Sequence, residues 1–259
     1  KVLWGDGHPY AAHAQETDFD KVSALHLKAF HKAHYHPEDC TLFVAGMVTP
    51  EVIAVIDKYL CVGWTTEHNT KSMQQFPANP IPEKYHFVEK TGVQSAIKTG
   101  RHIMDKNDSD FPAFQVLNTV LGGYFGSRLM RNIRENKGYT YGIGSSIVSL
   151  PGGSYLNIAT QTANENVNKV IDEINYELNV LRSNPITDDE LQMVKNYLGG
   201  ELMRSFDGPF AILDIYFSLW EHQLDFDYIK YYLECIDKTT PTKLMELANN
   251  WLNPGDFFV

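Results

Sequence analysis

Residues 117–146, LNTVLGGYFGSRLMRNIRENKGYTYGIGSS, decide the fold of this chain. The apolar opening reads as the end of a helix that Gly122 and Gly123 stop. A loop follows, then a second helix from about residue 127 and a strand from about residue 140. Arg134 and Tyr141 flank the turn at Lys137 and Gly138. The paired glycines suit a helix C-cap followed by a close backbone approach. They do not suit a phosphate loop, because they follow a helix and no Gly-Lys-Ser/Thr accompanies them.

Outward from this stretch, the pattern predicts strands at residues 86–89 and 94–104 and a helix over 110–121. After it, Gly152 and Gly153 mark a hairpin into a strand at 154–161. Residues 163–181 are strongly periodic, with Val167, Val170, Ile171, Ile174, Leu178 and Leu181 on one side of a helix. Thr187 and Glu190 have the spacing of a capping box that opens the next helix, which runs to about residue 206. Gly208-Pro209 breaks it, and helical stretches follow near 210–221, 228–235 and 240–252. The fold class is α+β: a mostly antiparallel sheet with helices on one face. A free sheet edge near 153–160 is a conceivable site for an added peptide strand.

The beginning of the chain carries a helix at 18–35, with Val22, Leu25, Leu27, Phe30 and Ala33 as its stripe. A buried-type strand at 41–47 (TLFVAGM) comes next. A helix then opens with Thr49 as N-cap and Pro50 at its first position, and runs to about 61. Residues 65–84 are polar and proline-bearing and read as a linker. The end repeats the beginning: His36-Pro37-Glu38-Asp39 leads into an apolar strand, and so does Asn253-Pro254-Gly255-Asp256. The expected organisation is the closing part of a first α/β unit over 1–64, a linker over 65–84, and a nearly complete second copy over 85–259. Lys1 and the strand that ends at Val259 predict a piece of a longer product.

A net charge of −10 lacks the basic face that nucleic acid or an anionic membrane requires. No apolar run reaches the ~18 to 20 residues of a membrane-spanning helix. Three cysteines, Cys40, Cys61 and Cys235, make neither a disulfide framework nor a zinc ribbon. Cys40 and Cys61 are expected to be buried, and the set favours a reducing compartment, the cytoplasm over the periplasm.

The motif run from Leu121 through Gly122-Gly123, Ser127-Arg128-Leu129, Arg134-Glu135 and Gly138 into an aromatic strand resembles the pitrilysin, insulinase and mitochondrial processing peptidase family of zinc endopeptidases, specifically its second, non-zinc-binding half. The resemblance is strongest over 94–207 and looser at Gly7-His8-Pro9-Tyr10 and 41–46. It implies a bacterial metallopeptidase domain built from two homologous halves. It also implies zinc in the partner half and none in this chain, which alone would be inactive. Its partners would be a peptide substrate and a zinc-bearing half or subunit, as a homo- or heterodimer. In enzymes of this kind an Arg and a Tyr cross a chamber toward the metal, and they match Arg134 and Tyr141. Tyr139, expected on the same side of the strand as Tyr141, is the rival phenol, and Arg128 is a second cation for substrate binding. A guanidinium holds a carbonyl or carboxylate with a fixed fork, and a phenol donates to a forming oxyanion.

The family's His-x-x-Glu-His is missing, since no two of the ten histidines lie four apart. His26, His31, His34 and His36 are the nearest cluster, a metal-binding module being one alternative and a solvated helix face the simpler reading. A structural or assembly subunit of the same fold, as in the core proteins of respiratory complexes, is the other alternative.

Overall fold

The computed structural model describes residues 1–64, 76–78 and 92–259. Most of the expected linker and the expected strand at 86–89 lie outside these. Three strands, β1 (Gln94–Ile103), β2 (Thr140–Leu150) and β3 (Gly153–Ala163), form an antiparallel sheet in the order β1-β3-β2. The two-residue period of β3 explains its place. Ser154, Leu156, Ile158, Thr160 and Thr162 are buried on one face, and the residues between them are more open. β3 is therefore the central strand, and the free edge expected at 153–160 belongs to β2 instead.

Helices cover the buried face. α4 (Phe111–Asn118) contributes Phe114, Val116 and Leu117, each at most 1% exposed. α5 (Val167–Ser183) lays Val170, Ile174, Leu178 and Leu181 into the same core, as its stripe predicts. α9 (Pro241–Trp251) adds Leu244, Leu247 and Ala248. Around them pack α6 (Asp188–Ser205), α7 (Pro209–Glu221) and α8 (Asp227–Lys238). Among the described residues, no helix is long and apolar enough to cross a membrane.

The capping box that opens α6 forms only by half. Thr187 Oγ1 accepts from Glu190 N at 3.2 Å. The Glu190 carboxylate does not return to the cap; it is held by both donors of the Arg128 fork, at 3.0 and 2.8 Å. Two charge-assisted bonds to a guanidinium outweigh the single carboxylate-to-N–H capping bond, so the long-range partner wins.

The two proline turns share a local shape. Pro37–Asp39 and Pro254–Asp256 are both 3-10 turns closed by an N–H to the proline carbonyl. Each follows a helix, α2 (Ala24–His34) or α9. They differ in what comes next. Phe258 exchanges both backbone hydrogen bonds with Gly100 of β1, each at 2.9 Å. The residues 41–47 have no strand beside them among the described residues and remain extended without a ladder. A strand sequence without a partner cannot make its ladder. The consequence reaches α1 (Glu16–Phe19), α2 and α3 (Pro50–Ile56), none of which buries a residue. Cys40 and Cys61, expected to be buried, are exposed for the same reason.

The first eleven residues are anchored separately. Trp4 is 6% exposed, stacks on His8 at 4.5 Å between ring centroids and meets the His102 ring edge-on at 4.5 Å. A Cβ on Gly153 would lie 2.4 Å from the Trp4 ring, so the hairpin glycine makes room for the indole. The Tyr10 hydroxyl donates to Pro151 O at 2.8 Å and completes the hook.

Candidate functional site

α4 runs into a π-helical turn, Thr119–Gly123, which ends directly against β2. A Cβ on Gly122 would come within 2.6 Å of Ser145 N and 3.0 Å of Leu129 Cδ1. Only a glycine lets the helix end touch the strand. The loop then carries Tyr124 and Phe125, and a second π-helical turn, Met130–Asn136, buries Met130 and Ile133 while Arg134 stays half-buried beside them. Gly138, with φ of +64°, closes the turn into β2, and its N–H bonds to Arg134 O at 3.2 Å.

Arg134 makes no ion pair among the described residues, despite the chain's excess of acids. Its guanidinium carbon sits 4.7 Å from the centroid of Phe125, a ring that is 65% exposed. A cation–π contact at such a site is worth about 0.5–1 kcal/mol and leaves the in-plane donors of the fork unused. Sequence reasoning did not single out Phe125; an aromatic directly after the glycine stop was the available signal.

Tyr141 is 93% exposed. By strict alternation it would share a face with Ile143, which is 4% exposed in the core. A β-bulge prevents this: Thr140 pairs with Thr162 and Ile143 with Thr160, so β2 spends one more residue than β3. Bulges re-aim side chains, and this one turns Tyr141 out of the core. Thr140 Oγ1 braces it, lying 2.7 Å from Gln161 O and 2.8 Å from Thr160 Oγ1 and accepting from Gly142 N at 3.2 Å. Tyr141 lines a shallow cleft of about 360 Å³ with Lys98, Thr160 and Gln161.

Tyr139 does not share this setting. It packs against the core rim with Lys169 Nζ 5.5 Å from its ring centroid, and its carbonyl accepts from Thr162 Oγ1 at 2.6 Å. The bulge separates two tyrosines that the sequence spacing placed on one side. Arg128 is likewise engaged elsewhere. Its side chain is 16% exposed and its fork is filled by Glu190. Burial alone would lower its pKa, but the Glu190 bonds outweigh that and raise it. Beside it Asn132 donates to Glu173 and Glu177, and Lys137 pairs with Glu173. Burial pushes the Glu177 carboxyl up, whereas the Lys137 bond holds Glu173 down. This network ties the turn that carries Arg134 to α5 and α6.

Among the described residues no group of three or more His, Cys, Asp or Glu converges on a metal position. The four clustered imidazoles disperse: His26 bonds to Lys21 O, His31 stacks on Tyr35, His34 packs on Phe30, and His36 bonds to Ala33 O.

Residues 21–198 match the family described as "Peptidase M16 inactive domain". The chain belongs to this family. An M16 inactive domain is therefore the frame for Arg134 and Tyr141. The chain is 22% identical over 244 residues to the "Probable inactive metalloprotease YmfF" of Bacillus subtilis, covering 92% of this chain and 56% of that protein. It is 26% identical over 264 residues to an "Uncharacterized zinc protease" of Mycobacterium leprae, covering 97% and 57%. The crystal structure of a peptidase M16 inactive domain from Pseudomonas fluorescens superposes with a TM-score of 0.85 at 23% identity, covering 99% of this chain and 62% of that one. At that identity the likeness is one of fold. The M16 domain here spans little more than half the length of these curated relatives.

Proposed function

We propose that this M16 inactive domain forms one wall of a peptide-binding chamber and supplies Arg134 and Tyr141 to hydrolysis whose zinc belongs to a separate half. The observation that carries the reading is the pair of unspent polar groups at the start of β2. The Arg134 fork has no carboxylate, and the Tyr141 phenol is turned outward by a braced bulge. Arg134 holds a substrate carbonyl or carboxylate, and Tyr141 donates to the oxyanion as the scissile carbonyl becomes tetrahedral. The zinc-bearing half supplies the activated water. Arg128 and Tyr139, engaged by Glu190 and by the core rim, shape this wall and leave substrate contact to Arg134 and Tyr141.

The first 64 residues support the pairing. Leu25, Leu27, Phe30 and Val55 are 55–75% exposed, which is a surface that a companion α/β unit buries. On this reading residues 1–64 are the tail of one unit and 85–259 the second.

Peptide cleavage and calorimetric zinc titration test the proposal together. The chain alone is expected to cleave nothing and to take up no stoichiometric zinc, and the protein carrying the zinc half is expected to cleave. Tight zinc binding by this chain would overturn it. So would unchanged cleavage in both Arg134→Ala and Tyr141→Phe, which would leave a purely structural subunit.

A further inference from the structure

A groove of about 780 Å³ opens between β2 and the helices α4, α6, α7 and α8, and neither Arg134 nor Tyr141 lines it. One wall is Ser145, Ser146 and Ile147 of β2. β2 is an edge of the sheet, with no strand on its outer side among the described residues. Its own turns cover the start of this edge, with Met130 Sδ accepting from Ile143 N at 3.4 Å and Gly122 lying against Ser145 N; past Ser145 the edge presents main-chain donors and acceptors that another chain can complete. The facing walls are apolar, built by Leu198 and Leu202 of α6, Ile215 of α7 and Ile229 of α8.

The polar groups of the groove are mismatched in one direction. Glu201 and Asp214 line it, and neither makes an ion pair among the described residues. The one ammonium in the lining, Lys106, donates to Ser218 Oγ at 2.8 Å and is thereby drawn to the wall. The Asn118 Oδ1, also in the lining, is buried without a hydrogen-bond partner. Two exposed carboxylates border a lining whose single cation is already engaged. They favour an occupant that brings donors and positive charge.

We propose that this groove holds an extended peptide segment, which adds a strand to the outer edge of β2 and sets a basic side chain against Glu201 and Asp214 with apolar side chains on either side. The strand supplies main-chain affinity, and the acid pair supplies the preference for a basic residue. The proposal stands apart from the roles of Arg134 and Tyr141, and it gives the domain a second hold on peptide.

Fluorescence anisotropy with a fluorescein-labelled Ser-Thr-Val-Arg-Val-Thr-Ser peptide tests it on the whole chain. Saturable binding below about 1 mM is expected. It weakens at least tenfold when alternate peptide amides are N-methylated, when the central Arg of the probe becomes Glu, and in the double variant Glu201→Gln, Asp214→Asn. Arg134→Ala leaves this binding unchanged, which separates the groove from the site at the start of β2. No saturable binding overturns the proposal. So does binding indifferent to N-methylation or to the acid pair, and so does binding lost in Arg134→Ala.

Discussion

Replacing Gly122 by alanine is the sharpest test of how the site is built. The added Cβ lies 2.6 Å from Ser145 N, 2.7 Å from Ser145 Oγ and 3.0 Å from Leu129 Cδ1. Ordinary contact begins near 3.4 Å, so the π-helical turn and β2 must part by about 0.8 Å. The obstacle is strand backbone and a fully buried leucine, which do not swing aside. Overpacking of this kind costs about 1–3 kcal/mol. Gly199, inside α6, is the internal control, because a Cβ there meets nothing within 4 Å. In that open helical position alanine gains about 0.8–1 kcal/mol of helix propensity. The same chemical change is thus expected to move stability in opposite directions. For a chain of this size 1 kcal/mol shifts Tm by roughly 2–4 °C. Gly122→Ala lowers Tm by about 4–8 °C if its cost is near 2 kcal/mol, and Gly199→Ala raises it by about 2–4 °C. Urea denaturation with an unchanged m-value checks that the effect lies in the folded state. A Gly122→Ala protein as stable as the parent would refute the claimed contact between helix end and strand.

The Arg128–Glu190 pair is expected to couple by roughly 0.5–3 kcal/mol in a double-mutant cycle with Arg128→Met and Glu190→Gln, and coupling near zero would remove it as the brace of α6. Glu177 gives a pH signature. Its folded-state pKa is raised by burial, so ionising it destabilises the fold as pH rises through the ordinary carboxylate range and beyond. Glu177→Gln keeps an acceptor for Asn132 and is expected to stabilise the chain at pH 7, with the gain gone below about pH 4. Thermal unfolding at both pH values checks this, and a gain that grows in acid would contradict the sign. Trp4→Ala removes the stacked indole over Gly153 and is expected to cost the hook about 3–5 kcal/mol of local stability. The readout is faster hydrogen exchange at the 150–153 hairpin with β3 still protected.

Much of the fold was legible because burial and period coincide. The stripe of α5, the alternation of β3 and the glycine stop before Phe125 each report a surface that this chain covers with its own residues. The misreadings share a cause as well. The strand expected at 41–47 and the burial expected for Cys40 and Cys61 depend on a neighbour that the described residues do not supply. The capping box at Thr187 failed because Glu190 is spoken for by Arg128, 62 residues away in sequence. At the candidate site, Arg134 and Tyr141 could be singled out only through the family resemblance. The bulge that parts Tyr141 from Tyr139 could not, since alternation carries no sign of one inserted residue. Phe125 escaped for a related reason: an exposed aromatic has no periodicity to reveal it.

Steady-state kinetics of the protein carrying the zinc half, with Tyr141→Phe and the metal content measured in the same preparation, address the central claim most directly. With zinc occupancy equal to the parent, kcat is expected to fall by about 10²–10³ while KM changes little, as for the loss of one oxyanion donor. A kcat equal to the parent's in the fully loaded Tyr141→Phe protein would contradict it.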